Sequence, residues 1–149
     1  RLSLKVSWST VISYVLLSHA MPILGVTEAG LEDGLAQGIP GNAVVEIGAG
    51  IEAVVVKSGV AVVRELGGHG VGHSMHEEPQ VPNYGKPKRG KKLEVGLTIA
   101  IEPMVNAGVA GTRTLEDKCT VVTIDGARSA HFEHTVEVTA MGPRVLTRG

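Results

Sequence analysis

The residues of this chain that could do chemistry fall into three strings. Gly67 to Pro79 reads Gly-Gly-His-Gly-Val-Gly-His-Ser-Met-His-Glu-Glu-Pro and carries His69, His73 and His76. Ile99 to Asn106 reads Ile-Ala-Ile-Glu-Pro-Met-Val-Asn and carries Glu102. Ala130 to Val138 reads Ala-His-Phe-Glu-His-Thr-Val-Glu-Val and carries Glu133 and His134. Imidazoles and carboxylates are ligands for divalent metals and the acids and bases of hydrolysis. A carboxylate embedded in a strongly apolar strand is costly unless it is paired or bound to a cation. Donors on separate elements are not fixed by spacing, so a blander reading stands beside this one. In it both glutamates sit on a wet face and His69 is a capped loop histidine.

The Gly-His string admits three mechanistic readings. A phosphate-cradling loop needs a strand before it and a helix after it, and Pro79 and Pro82 oppose such a helix. A zinc-binding helix would place His69 and His73 one turn apart, but Gly70 follows His69 where a Glu is needed, and the glycines oppose a helix. The third reading is a rigid strand-to-loop turn, in which glycines let the backbone fold tightly and His69 points into a site.

The elements that must position these strings are legible in outline. Leu24 to Gly38 has helical spacing and ends in Gly38-Ile39-Pro40-Gly41. Ala43 to Lys57 reads as a second helix with Asn42 as N-cap, an apolar side of Val44, Ile47, Ile51, Val54 and Val55, and Gly59 as the residue past its end. Val60 to Leu66 reads as a short strand, and Gly67 to Gly85 as a loop too rich in Gly and Pro for regular structure. Leu97–Val105, Cys119–Ile124, Phe132–Thr139 and Arg144–Thr147 are strand candidates, with a hairpin turn expected at Asp125-Gly126. Alternation in the third places Glu133, Thr135 and Glu137 opposite Phe132, His134, Val136 and Val138. Two helices followed by mostly antiparallel strands predict an α+β layer architecture.

Composition bounds the answer. The 149 residues suffice for one domain, and 43% hydrophobic with 19% charged residues excludes a disordered linker. The net charge of −1 gives no basic excess for nucleic acid or an anionic membrane surface. The single cysteine, Cys119, excludes an internal disulfide framework and a Cys-rich zinc site. The apolar runs are shorter than the roughly 18 residues that span a bilayer. Arg1 to Ala20 contains five serines and no carboxylate. Val11 to Leu17 reads as a strand. Arg1 and Lys5 before that run, with Ser18-His19-Ala20 after it, also fit a short secretory leader. A third reading makes the segment foreign to the rest of the chain, through truncation or a frame change.

Taken together, the strings Gly68-His69-Gly70-Val71-Gly72, Met75-His76-Glu77-Glu78-Pro79-Gln80-Val81, Ala100-Ile101-Glu102-Pro103-Met104-Val105 and Phe132-Glu133-His134-Thr135-Val136 resemble the type I methionine aminopeptidases. The resemblance covers roughly Leu24 to Thr147. It implies the pita-bread fold of the creatinase and aminopeptidase proteins, with residues 24–149 as the C-terminal part of the catalytic domain and residues 1–23 as an atypical segment. It implies metal-dependent removal of N-terminal methionine from nascent proteins, a cytoplasmic location, and no direct nucleic-acid or membrane partner. A non-catalytic peptide-binding module on the same scaffold is the alternative.

The family centre is a pair of divalent metals, Co, Mn, Fe or Zn, held by two Asp, one His and two Glu. The resemblance makes His69 the His ligand, Glu102 the terminal Glu and Glu133 the bridging Glu. His76 would contact the scissile peptide, and Glu102 would also relay the proton of the attacking water. Met75 and Cys119 occupy positions near the pocket for the substrate's methionine side chain, where the family usually has aromatic residues. His131 stands where Gln is common. The two Asp ligands are expected from the region that here is residues 1–23, which contains no Asp or Glu and only His19 as a ligand type. One metal or none is therefore expected. The basic stretch Lys86, Lys88, Arg89, Lys91 and Lys92 reads as a solvated turn, with a ribosome contact as the alternative.

Overall fold

The computed structural model describes residues 14–148, with side chains described from residue 22 onward. Helix α1 spans Tyr14–Ala36 and α2 spans Val44–Lys57. The strands are β1 (Ala61–Val62), β2 (Gly68–Gly70), β3 (Glu77–Val81), β4 (Thr98–Ile101), β5 (Met104–Asn106), β6 (Thr112–Thr114), β7 (Val121–Thr123), β8 (Ser129–His131), β9 (His134–Thr139) and β10 (Gly142–Val145). The α+β expectation is met. Among the described residues no helix is long and apolar enough to cross a membrane.

The helices form because one side of each can be buried. On α1, Ile23, Thr27, Leu31 and Leu35 recur every four residues and all are buried. On α2 the buried set is Val44, Ile47, Gly48, Ile51 and Val55. Each such aliphatic side chain removed from water contributes about 1.5–3 kcal/mol. The helices pack on each other and over the sheets, so the core lies between the helix layer and the strands. Gly48 lets α2 approach closely: a Cβ there would lie 2.3 Å from the Pro82 carbonyl oxygen. Asn83, between the two residues that Gly48 meets, is fully buried.

Two antiparallel sheets carry the rest. One has the order β10-β9-β4-β2-β3, the other β1-β5-β8, and β6 pairs only with β7. The chain changes sheet twice at one level. It leaves β4 and enters β5 across Glu102-Pro103, and it leaves β8 and enters β9 across Phe132-Glu133. The flanking pairs are Ile101↔His134 in the first sheet and Met104↔His131 in the second. The two crossings thus lie side by side, and the Phe132 N–H donates to the Pro103 carbonyl at 3.4 Å.

Several local expectations are corrected. Of Val11–Leu17, residues 11–13 lie outside the described residues, and Tyr14–Leu17 is helical rather than extended. Leu16, Leu17, Ala20, Met21 and Leu24 are strong helix formers in succession, and they carry α1 well upstream of Leu24. The leader reading falls largely on residues outside the described set. Asn42 does not cap α2. Its side-chain amide donates to the Gln37 carbonyl at the end of α1 (3.0 Å), and the α2 start is closed by Glu46, which accepts from the Ala43 N–H at 3.2 Å. Gly59 follows the Ser58 C-cap at φ +74°, as expected.

The expected loop of residues 67–85 contains β2 and β3. Glycine opposes strands by propensity, but here it permits contact: a Cβ on Gly68 would meet the Ala100 carbonyl oxygen at 2.1 Å, and one on Gly70 the Glu78 oxygen at 2.2 Å. Pro79 is tolerated because β3 is an edge strand. The expected strands Leu97–Val105 and Phe132–Thr139 are each broken where the chain changes sheet, which also removes Glu133 from the predicted alternation. The expected strand Val60–Leu66 shrinks to β1, and Cys119–Ile124 to β7. Asp125-Gly126 is a turn but not a hairpin, since β7 pairs back with β6. Asp125 instead accepts from the Val109 and Ala127 N–H groups at 2.8 and 2.9 Å, which holds its carboxyl below the usual carboxylate range. The tight hairpin joins β9 to β10 around Thr139↔Gly142, and this places the last strand at Gly142–Val145 rather than Arg144–Thr147.

The basic stretch runs over the surface. It is tied at its end by the bridge Ala43↔Lys92 and by the Lys92 ammonium donating to the Gly41 carbonyl at 2.8 Å.

Candidate functional site

The site lies on the seam where the chain crosses between sheets. His69 is the middle residue of β2, paired with Gln80 of β3. Its Nδ1 lies 2.9 Å from the Gly70 carbonyl oxygen. A carbonyl only accepts, so Nδ1 carries the proton and the Nε2 lone pair is left free. That Nε2 lies 3.6 Å from Glu102 Oε1. A neutral imidazole nitrogen and a carboxylate oxygen are both acceptors. They face each other favourably with a cation between them, with the ring protonated, or with the carboxyl protonated.

Glu102 is held from behind as well as from the front. The Asn83 side-chain amide donates to the Glu102 backbone carbonyl at 3.0 Å. The Glu102 side chain is only 13% exposed, and its Oε2 lies 3.3 Å from His131 Nε2. Glu133 stands beside them: Glu102, His131 and Glu133 each offer one donor atom, all within 4.8 Å of one another. Among the described residues no Lys or Arg pairs with Glu102 or Glu133. Imidazole lone pairs, hard carboxylate oxygens and uncompensated negative charge form a donor set that fits a divalent cation.

The His76 ring packs at 4.2 Å from the His69 ring, tilted by 51°. Both line a cleft of about 600 Å³ that also takes in Gly68, Glu78, Gln80 and Tyr84. At its rim the Arg64 guanidinium lies over the Tyr84 ring at 4.4 Å and pairs with Glu52 at 2.6 Å. Glu77 accepts from the Ser74 N–H at 2.6 Å and so orders the loop that carries His76.

The remaining candidates from the sequence lie elsewhere. Met75 is 76% exposed and does not line the cleft. Cys119 is exposed in the β6–β7 turn, where its N–H donates to Asp117 at 3.0 Å. His73 is exposed on the loop after β2. His134 turns to Thr147, with Nδ1 2.9 Å from the hydroxyl. The side chain of His19 lies outside the described residues. Sequence reasoning missed Asn83, for which no periodic signal exists. It noted His131 without placing it in the site, because the chain changes sheet between His131 and His134.

Comparison with known proteins agrees with this layout. The sequence profile of metallopeptidase family M24 matches residues 13–140. Methionine aminopeptidase 1 of Bacillus subtilis is 48% identical over 126 residues, which is 85% of this chain and 51% of that protein. The crystal structure of methionine aminopeptidase from Rickettsia prowazekii superposes with a TM-score of 0.86 at 35% identity, covering 88% of this chain and 53% of that one. The Thermotoga maritima methionine aminopeptidase structure gives 0.84 at 42% identity, covering 87% and 52%. The chain spans about half the length of these relatives. Its two helices and antiparallel sheets form part of their pita-bread fold. A donor set of imidazole and carboxylate on that scaffold is what a metal-dependent peptidase requires, and the chain belongs to metallopeptidase family M24, with its resemblance to the C-terminal part of the methionine aminopeptidases.

Proposed function

We propose that the chain carries the histidine and glutamate side of a methionine aminopeptidase centre, which removes N-terminal methionine from nascent proteins in the cytoplasm. The observation that carries this reading is the free Nε2 lone pair of His69 facing Glu102 at 3.6 Å, with Glu133 grouped with Glu102 and His131 rather than with His69. His69, Glu102 and Glu133 are the proposed ligands, for Co, Mn, Fe or Zn. A bound divalent ion supplies Lewis acidity toward the scissile carbonyl and acidifies water.

The chain's own residues set up the rest. The Gly70 carbonyl holds the His69 ring in one tautomer and orientation. Glu102, shielded from bulk water and fixed by Asn83, would take the proton of an attacking water and pass it to the leaving amine, a role its low exposure supports. His76 would donate to the peptide oxygen as charge develops on it, a role supported by its packing on His69 and its opening to the cleft. The cleft takes the N-terminal segment of a peptide between His69, His76 and Tyr84, and Met75 and Cys119 lie outside it.

Hydrolysis of Met-Ala-Ser in the presence of Co or Mn tests the reading. Turnover above the metal-only blank, lost in Glu102→Gln, is the expected result. A second reading, a non-catalytic peptide-binding module, is favoured by one observation: residues 1–23 contain no carboxylate, so two anionic donors of the family set have no counterpart there. It predicts that the same peptide binds without turnover and that a chelator leaves binding unchanged.

A further inference from the structure

We propose that His131 is a metal ligand of this chain, forming with Glu102 and Glu133 a three-donor site for a divalent cation on the Oε2 side of Glu102. The proposal rests on the reading that Glu102 binds metal, and it adds a ligand to that site. His131 Nε2 lies 3.3 Å from Glu102 Oε2, and the donor atoms of Glu102, His131 and Glu133 lie within 4.8 Å of one another. A direct charge-assisted hydrogen bond is shorter, about 2.7–2.9 Å. Ligand atoms about 2.1 Å from a shared metal lie about 3.0 Å apart at octahedral angles and about 3.4 Å apart at tetrahedral ones. The His131–Glu102 separation of 3.3 Å falls within this range.

The fold accounts for the convergence. His131 ends β8 opposite Met104, two residues past Glu102, and Glu133 follows after one residue. The crossing between sheets therefore delivers both side chains to the same carboxylate. Two carboxylates balance the charge of one dication. The 42% exposure of the His131 side chain leaves open positions for water or substrate.

The test titrates the 149-residue chain with Co²⁺. Affinity is measured by competition with a chromophoric chelator, and coordination by the visible absorption of the bound ion. His131→Gln is expected to weaken Co²⁺ binding by at least the roughly 10–100-fold that loss of an outer-shell partner costs, and to change the spectrum. His131→Asp, which keeps a donor, is expected to recover most of the affinity. His134→Gln is expected to bind as the unaltered chain does, since its partner is Thr147. Circular dichroism and urea unfolding confirm that each variant is folded. The proposal is overturned if folded His131→Gln keeps the parent affinity and spectrum while Glu102→Gln loses them, a result that leaves the proposed function standing. It is also overturned if His131→Asp recovers nothing, and failure of the unaltered chain to bind Co²⁺ removes both readings together.

Discussion

Replacing Gly68 with alanine should loosen the fold and the site at once. A Cβ at Gly68 would lie 2.1 Å from the Ala100 carbonyl oxygen, 3.1 Å from its carbon and 3.2 Å from the Val81 Cβ. To restore ordinary contact near 3.4 Å, β2 and β4 must separate by about 1.3 Å. The obstacle is backbone in the middle of a sheet, so it cannot swing aside. Overpacking costs about 1–3 kcal/mol, and a strained ladder hydrogen bond about 0.5–1.5 kcal/mol more. A loss of about 3 kcal/mol, with a urea slope of about 2 kcal/mol per molar, lowers the unfolding midpoint by about 1.5 M. Because His69 rides on β2 and Glu102 follows β4, Co²⁺ affinity should fall in the same variant. Gly25→Ala is the control: it lies on α1 with nothing within 4 Å of its added carbon, and helix propensity predicts a gain of up to about 1 kcal/mol. A Gly68→Ala midpoint within about 0.2 M of the parent would refute the close-approach argument.

Asn83→Ala should cost about 1–3 kcal/mol by stripping the part-buried Glu102 carbonyl of its donor, and should weaken Co²⁺ binding; unfolding and metal titration of one sample read both. Ile51→Ala, at a fully buried position on α2, should cost about 2–5 kcal/mol in urea unfolding. Asp125 has a depressed pKa in the folded chain, so its contribution is complete above the ordinary carboxylate range, near pH 3.9, and is lost as pH falls through the lower folded value. Hydrogen exchange at the Val109 and Ala127 amides should accelerate there relative to other turns, and Asp125→Asn should show the faster exchange at neutral pH.

The helices were legible because their burial pattern is local: Ile47, Ile51 and Val55 recur at helical spacing, and Gly59 marks the end. The strands near the site were harder. Gly68 and Gly70 lower strand propensity, and only the neighbouring Ala100 and Glu78 carbonyls explain them. Ala100 lies outside the Gly-His string, and Glu78 meets Gly70 only through the fold-back of β3 onto β2. The same holds for the chain breaks at Glu102 and Phe132, which divide two long apolar runs between different sheets. The histidine and glutamate strings were legible by motif, but their proximity depends on pairings such as Ile101↔His134, which join residues far apart in sequence. His131 and Asn83 entered the site only through those pairings.

Both carboxylates ride on the points where the chain passes from one sheet to the other. Their separation is therefore governed by the angle between two plates rather than by the length of any strand. The segment from Ala107 to Arg128, with its β6–β7 arm, leaves one plate and rejoins it at the Asn106↔Ser129 rung. That arm can be lengthened, shortened or given new sequence without shifting the donors, which makes it the natural place to graft substrate contacts onto an unaltered centre.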